Sequence, residues 1–379
     1  MKFLNSLLII FLAILSIVSC KNKQDQIVQD YKTFLKDSII INTGKDDIKK
    51  FGSFFKIFIS QNIDYITILD RKQNLITFLS IQKEYKNFEI KLPIIQNKIL
   101  DYKIINKDSI FLLTDSNSIF LCNKEKIIQK YLLTCKTPYG IRFNLFSPLE
   151  VYKKKNFVFN YPLFGPLYYK TNLLKYYKSK IDLNLKIIND KLIIDNVTGS
   201  FPPELLKNTF NIFTYSRTLN FNANKIIYSF RHSKNIEVVD LETKKSKIIK
   251  LEAGIFAEND TLPFSKIADI NFKKKYTVEN DRFNGLIYDK YNNKYIRVLT
   301  KGIKYENDDE DGTVNSVLDK PLYFLIYDEN FKLEKVIKFA EKKYCYWSIL
   351  VTSKGILVSK DHPNNKEKNK MKYDLFKFY

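Results

Sequence analysis

The chain is poor in the residues that most often carry chemistry. Among 379 residues there are two histidines, four cysteines, ten glycines and one tryptophan. His232 and His362 stand alone in polar segments, where we expect turn residues, and neither His-x-x-x-His nor Cys-x-x-Cys occurs, so no zinc site is recognisable. Glycine-rich phosphate loops and Gly-x-Ser-x-Gly elbows are missing too. We therefore expect no metal, no cofactor and no catalytic residue, and the sequence favours a binding protein over an enzyme.

Arginine is scarce as well, although the formal charge is +22. Only six of the 63 basic residues are arginine. The lysines are dispersed and alternate with apolar residues, as on the solvent face of strands. Together with abundant Asn, Ile, Phe and Tyr, this composition is typical of an A+T-rich genome rather than of a phosphate-binding patch. We expect no nucleic-acid partner.

A short apolar segment opens the chain and ends at a cysteine. Lys2 supplies a positive start, Phe3 to Val18 is almost unbroken Leu, Ile and Phe, and Ser19 precedes Cys20. This pattern predicts a bacterial lipoprotein signal peptide at 1–19, with Cys20 lipidated by acyl chains such as palmitate. The alternatives are a transmembrane helix and a signal peptide cut elsewhere.

The residues behind Cys20 are expected to tie the protein to a membrane. We assign 20–36 to the lipidated cysteine and a tether, within which Ile27, Tyr31, Phe34 and Leu35 have the spacing of a short helix. The expected location is the bacterial cell envelope, with the outer membrane as the membrane that holds the lipid. Its periplasmic and surface faces both stay open.

From Ser38 onward, short runs of β-branched and aromatic residues alternate with polar turns. The clearest unit has four such runs, at 99–105, 109–114, 118–122 and 127–133. Three further groups repeat it, with runs at 65–69, 75–79 and 88–92, at 225–230, 236–240 and 246–251, and at 295–299, 322–327 and 333–339. A meander that recurs every ~40–55 residues predicts a β-propeller.

We predict an all-β chain with one propeller domain at 37–379, built from four-stranded antiparallel meanders. Six blades are favoured and seven are the alternative. The last strands, at 348–351, 355–359 and 373–378, should meet the first strand near Ile39 and close the ring. A β-sandwich, or two β domains, is the competing architecture.

Three cysteines follow Cys20. Cys122 and Cys345 lie inside apolar strand-like runs, where a cysteine usually acts as a small hydrophobic residue. The alternative is a Cys122–Cys135 bridge across one hairpin in an oxidising compartment.

Several motifs together resemble a family of uncharacterised Bacteroidetes lipoproteins. They are the cysteine-terminated signal, the repeated meanders, and Tyr228-Ser-Phe230 ahead of Ile236-Glu-Val-Val-Asp240. The segment Leu286-Ile-Tyr-Asp-Lys-Tyr291, followed by Tyr295-Ile-Arg297, adds to the likeness. Proteins of this domain-of-unknown-function type are assigned to a six-bladed, TolB-like propeller, so the resemblance implies fold and location. The acids that accompany surface export in such bacteria are reduced here to Asp25.

Two groups of acidic residues partly resemble known sites, a calcium loop and a pair of catalytic carboxylates. In the loop 306–312, Asn307, Asp309, Asp311 and Gly312 match the first half of a calcium loop, but the twelfth position is Leu318 instead of Glu, so a solvated loop is expected. A propeller-type glycoside hydrolase or lyase, the alternative function, needs two opposed carboxylates. Asp269, Asp281 and Asp289 are candidates that spacing alone cannot pair.

The arginines give the sharper hypothesis. Where lysine is the usual cation, an arginine on a strand suggests a need for planar, bidentate hydrogen bonding. Arg217, Arg231 and Arg297 lie in or beside predicted strands, each near an aromatic residue. They are either structural ion pairs between blades or part of a funnel that binds a carboxylate-bearing peptide or acidic glycan. We expect an envelope-anchored binding or scaffolding propeller whose partner is a protein, peptide or glycan.

Overall fold

Six small antiparallel sheets stand in a ring in the computed structural model, which confirms the predicted six-bladed propeller. The structure describes residues 28–42, 55–115, 118–132, 149–152, 156–160, 177–189, 191–203, 215–220, 223–257, 262–266, 268–306, 315–360 and 370–379. Within them, no helix is long and apolar enough to cross a membrane.

The strands are short, as the β-branched and aromatic runs between polar turns require. Their bounds are β1 Val28–Asp30, β2 Leu35–Asn42, β3 Lys56–Ser60, β4 Ile63–Asp70, β5 Leu75–Ser80, β6 Phe88–Lys91, β7 Ile99–Asn106, β8 Ser109–Thr114, β9 Ser118–Cys122, β10 Ile127–Leu132, β11 Glu150–Tyr152, β12 Asn156–Asn160, β13 Lys180–Ile188, β14 Lys191–Ser200, β15 Tyr215–Asn220, β16 Lys225–Phe230, β17 Asn235–Asp240, β18 Ser246–Lys250, β19 Arg282–Asp289, β20 Lys294–Thr300, β21 Leu322–Tyr327, β22 Leu333–Lys338, β23 Cys345–Thr352, β24 Gly355–Ser359 and β25 Lys370–Phe376.

Each sheet is one blade, and its strands are consecutive in the chain except where the N-terminal segment joins. Blades 1 to 4 are β3–β6, β7–β10, β11–β14 and β15–β18. Blade 5 is β19–β22 with β1 added in parallel at its outer edge, and blade 6 is β23–β25 with β2 as its outer strand. The first strand of each blade lies innermost, since β19 packs against β15 and β23, and β23 against β3.

The apolar core consists of six clusters, one between each pair of neighbouring blades. Alternate residues of a strand face the two neighbouring blades, so both faces of every sheet are buried. Tyr102 from blade 2 lies among residues of blade 1, and its hydroxyl donates to the Thr67 carbonyl oxygen at 2.8 Å. Tyr228 of blade 4 likewise reaches Thr198 Oγ1 of blade 3 at 2.9 Å.

The ring closes as the sequence predicts. In blade 6, Ile39 of β2 lies opposite Tyr373 of β25, and the pairing is antiparallel from Leu35 to Asn42. The N-terminal part of the fold, however, begins earlier than the assigned tether allows. Val28–Asp30, which we placed in the 20–36 tether, pairs with β22, and the predicted short helix is a 3₁₀ turn at Tyr31–Phe34.

The two ends of the ring differ in their connections. Inner strands begin, and second strands end, at what we call the upper end. Connections there include 251–281 and 301–321, whereas those at the lower end include 61–62 and 353–354. Long connections are where binding residues of a propeller usually gather.

One helix departs from the predicted all-β pattern. Helix α1, Ile270–Glu279, lies in the connection between blades 4 and 5, and the side chain of Asp269 caps it by accepting from the Phe272 amide at 3.0 Å. It buries Tyr276 and Val278 against the ring. Its role is to cover the upper end beside blade 5.

Candidate functional site

Ion pairs bind the inner strands of blades 1 to 3 to one another, and a further pair links blade 3 to the inner strand of blade 4. Lys56 pairs with Asp101 at 2.7 Å and Lys103 with Glu150 at 2.6 Å, each between neighbouring blades. Burial acts to raise the pKa of Glu150, but Lys103, Lys56 and Arg217 together hold it below its ordinary value. In this half of the ring the inner cations therefore have carboxylate partners.

Arg217 belongs to that paired half. Its Nη1 lies 2.7 Å from Asp182 Oδ1, and both side chains are fully buried between blades 3 and 4. Arg217 therefore forms an ion pair between blades, which is the structural alternative given above for the arginines. Because the guanidinium already has a buried carboxylate, it is poorly placed to recognise another.

Arg297 is fully buried, and protein groups surround its guanidinium. Its Nη2 donates to the carbonyl oxygens of Ser233 at 2.6 Å and Phe230 at 3.1 Å, and Nη1 donates to that of Lys234 at 3.1 Å. The guanidinium carbon lies 3.5 Å from the centre of the Phe283 ring. Arg297 thus fastens blade 5 to the β16–β17 turn of blade 4.

Arg231 lies in a different environment, at the upper end of the ring. It follows β16, and its carbonyl oxygen accepts from the Phe283 amide at 3.0 Å, which places it beside Arg282 at the start of β19. His232 comes next in the chain, and Lys320 reaches the same region from the connection before β21. We call Arg231, His232, Arg282 and Lys320 the cationic cluster; all four are buried.

The neighbours of this cluster include aromatic residues and the carboxylate of Asp281, which acts on Lys320. Tyr276 of α1 lies 6.0 Å from His232 between ring centres, and Tyr346 of β23 is close enough to influence both arginines. Arg282 Nε is buried without an acceptor, and no described carboxylate pairs with this guanidinium. The cluster is therefore a buried positive region at the junction of blades 4, 5 and 6.

The cationic members of the cluster lower one another's pKa. Burial lowers the pKa of His232 well below its ordinary value, and Arg282, Arg231 and Lys320 lower it further, so the imidazole is neutral at physiological pH. Burial, with Arg282 adding to it, lowers the pKa of Lys320 to about 7. A bound anion would relieve this repulsion.

One carboxylate near the cluster is fully occupied. Asp281 accepts from the amides of Ala257 and Gly302, both at 2.8 Å, and pairs with Lys301 at 2.7 Å. Gly302 is required there, because a Cβ at this position would overlap the carbonyl of Glu279 at the end of α1. Asp281 fixes the connection that carries Arg282.

Lys320 is held by the end of helix α1. Its Nζ donates to the carbonyl oxygens of Thr277 at 3.0 Å and of Asn280. These are among the carbonyls that a helix leaves unsatisfied at its C-terminus. The end of the helix therefore holds the ammonium group of Lys320 at Asn280, which is two residues before Arg282 in the sequence.

The three carboxylates considered for the alternative hydrolase or lyase function are not brought together as a catalytic pair. Asp281 and Asp289 lie near opposite ends of β19, and eight residues of strand span about 26 Å, far more than the ~5–10 Å between glycosidase carboxylates. Asp269 is used as the helix cap. Among described residues, no group of three or more His, Cys, Asp or Glu could hold a metal.

The remaining candidate residues are either buried cysteines or lie outside the described residues. Cys122 is a buried free thiol whose pKa burial raises to about 12, and Cys345 is buried as well. Outside the described residues lie Cys20, Cys135, His362 and most of the acidic loop from Asn307 onward. Lipidation of Cys20 stays a prediction.

The fold and this positive region define a class, a six-bladed propeller with a buried cationic cluster at its upper end. The chain belongs to a family described as a domain of unknown function (DUF4221), whose model matches residues 95–335. The resemblance drawn from the sequence to a propeller family of this type is thereby confirmed.

A solved member of the family has the same fold. A DUF4221 family member from Bacteroides vulgatus has a TM-score of 0.68 at 14% identity, covering 90% of this chain and 97% of that one. A catalytically inactive virginiamycin B lyase from Staphylococcus aureus, solved with quinupristin, has a TM-score of 0.39 at 15% identity, covering 90% and 99%. BamB from Moraxella catarrhalis has a TM-score of 0.36 at 7% identity, covering 85% and 84%. No curated protein matches the chain.

Proposed function

We propose that this protein is an envelope-anchored lipoprotein whose propeller binds an acidic ligand at the cationic cluster. The ligand is a carboxylate-bearing peptide, an acidic segment of a protein partner, or an acidic glycan. The membrane attachment is the lipid on Cys20, and the propeller acts as a binding or scaffolding module rather than an enzyme.

One observation carries the binding proposal. Arg282 is buried on an inner strand, beside Arg231 and Lys320, with no described carboxylate to neutralise it. Unpaired buried charge is costly, and proteins keep it mainly where a ligand completes the interaction. Guanidinium groups suit planar carboxylates, which accept two parallel hydrogen bonds.

Aromatic residues lie beside the cationic cluster and add flat surfaces to the proposed site. Tyr346 lies at the start of β23, and Trp347, which follows it, is 52% exposed. Flat faces beside a cationic group suit sugars and peptide side chains. A hydrolase or lyase needs paired carboxylates, and no observation among the described residues favours it.

The test uses acidic and neutral probes of the same shape. Binding of tetraglutamate and trigalacturonate should be measured by calorimetry against tetraglutamine and neutral trigalactose. We expect the acidic probes alone to bind, and Arg282→Gln to weaken them by about tenfold or more, the ~1.4 kcal/mol of one lost charged contact.

A matched control separates this effect from general charge. Arg71 follows β4 at the upper end of blade 1, outside the junction of blades 4, 5 and 6, so Arg71→Gln removes the same charge away from the cluster. It should bind the acidic probes within about twofold of wild type. Equal binding by Arg282→Gln and wild type, or no preference for acidic probes, would remove the proposal.

A further inference from the structure

A second positive region lies where the N-terminal segment joins the ring. A cavity of about 840 Å³ is lined by Lys36, Lys335, Lys354 and Lys377, together with Phe34, Phe378 and three other residues, none of them acidic. Lys36, Lys354 and Lys377 are exposed, and no described carboxylate pairs with them. We call this the basic cavity.

The basic cavity also has an apolar floor. Lys335 Nζ donates to the carbonyl oxygen of Phe378 and lies 5.5 Å from the centre of the Phe34 ring. Phe34 and Phe378 pack edge to face, 5.6 Å apart. Three free ammonium groups around an aromatic floor suit a ligand with an anionic head and an apolar continuation.

The course of the chain places this cavity beside the tether. β1 runs parallel to β22 with Val28 beside Val336 and Asp30 beside Lys338, so the described chain begins on the Lys335 side of the strand. Seven residues separate Cys20 from Val28. They span at most about 25 Å, which keeps the start of β1 close to whatever surface holds Cys20.

We propose that the basic cavity docks on anionic phospholipid headgroups of the membrane that holds the anchor. The inference rests on the proposed lipidation of Cys20. Lysines near an anionic surface are attracted to it, so three exposed lysines would fix the orientation of a propeller that its lipid already keeps nearby. The anchor alone would leave the ring free to rotate.

Lysine reactivity in the full-length lipidated protein tests the docking. The protein is reconstituted into phosphatidylcholine vesicles with or without phosphatidylglycerol and recovered by flotation, which reports on the anchor by itself. Each lysine is then acetylated, and its rate is read by mass spectrometry. With phosphatidylglycerol, we expect Lys36, Lys354 and Lys377 to react several-fold more slowly than in detergent.

Lysines on the far side of the ring serve as controls. Lys186 and Lys191 of blade 3 are exposed and should react equally in all samples. Lys335 also lines the cavity, so the same vesicles should protect it in the wild type. The triple variant K36E/K354E/K377E should float normally but lose this protection. Its labelling must be compared only after its melting temperature is shown to match that of wild type.

Four outcomes would overturn the inference, and they are distinguishable. Equal protection in pure phosphatidylcholine would mean that proximity, not headgroup charge, is responsible. Equal protection of the detergent-solubilised protein by glycerol 1-phosphate would assign the cavity to a soluble phosphate. Failure to float would remove the anchor and this inference with it, whereas normal flotation with unprotected lysines would remove this inference alone.

Discussion

The guanidinium of Arg297 lies flat on the ring of Phe283, with 3.5 Å between its central carbon and the ring centre. Phe283 in turn stacks on Phe256 at 4.4 Å. The charge is carried by three carbonyl oxygens of one turn, so this arginine holds two blades together without any carboxylate.

Replacing Arg297 should therefore destabilise the fold. Arg297→Lys keeps the charge but loses the planar stack and at least one of the hydrogen bonds, which should lower the free energy of unfolding by about 3 kcal/mol. Urea denaturation followed by circular dichroism measures this. Lys247→Met, at an exposed position of β18, should change it by less than about 0.5 kcal/mol. A wild-type value for Arg297→Lys would contradict the assigned structural role.

Stability should depend on pH through Lys320. Its pKa falls from 10.5 to about 7 on folding, so the folded chain holds this proton less tightly than the unfolded chain. The cost of burying the ammonium is complete below pH 7 and disappears as the pH rises towards 10.5. Wild type should therefore gain stability relative to Lys320→Met across this window. Parallel unfolding free energies for the two proteins from pH 6 to 10 would refute the assignment.

Buried tyrosine hydroxyls should contribute independently at different blade junctions. Tyr102→Phe removes the bonds to Thr67, and Tyr228→Phe removes the bond to Thr198. Each should lower the free energy of unfolding by about 1 kcal/mol, and the double variant by the sum, because the sites share no partner. Tyr85→Phe, at an exposed position, is the matched control. A double variant no less stable than the singles would mean that the two junctions are coupled.

Cys20 should be required for membrane attachment. The variant Cys20→Ala cannot accept the acyl chains, so we expect it to stay unprocessed or to leave the membrane fraction on carbonate extraction. Metabolic labelling with an alkyne palmitate analogue should mark wild type only. Cys122→Ala, which removes a buried thiol, should be labelled and fractionate like wild type. Membrane retention of Cys20→Ala would place the anchor elsewhere.

The sequence predicts the second, third and fourth strands of the blades better than the innermost ones. Strands such as β8 and β16 alternate apolar residues between two buried faces and were recognised directly. The inner strand β15, Tyr215–Asn220, carries Ser216, Arg217 and Thr218, and it was missed because its polar side chains bind neighbouring blades. Blade 3 was not predicted, although β13 alternates apolar and polar residues; its polar Asp182 and Asn184 are buried like the apolar ones.

The candidate site was anticipated only in part. Arg231 was selected because it ends a predicted strand, and it does lie in the cationic cluster. Arg282 and Lys320 were not selected, because each stands in a polar stretch just before or at the start of a strand. Only the folding of α1 and of the connection before β21 brings them to Arg231, and no local pattern encodes that meeting.

Ring closure by β2 constrains the order in which the chain can fold during synthesis. Ser38 of β2 binds Asp374 of β25 across 336 positions of sequence, so β2 is synthesised long before the strand with which it pairs. Until then the apolar faces of blades 1 and 6 have no partner, and contacts of such long range form slowly. A product truncated before β25 would therefore leave β2 without its partner and be unable to close the ring.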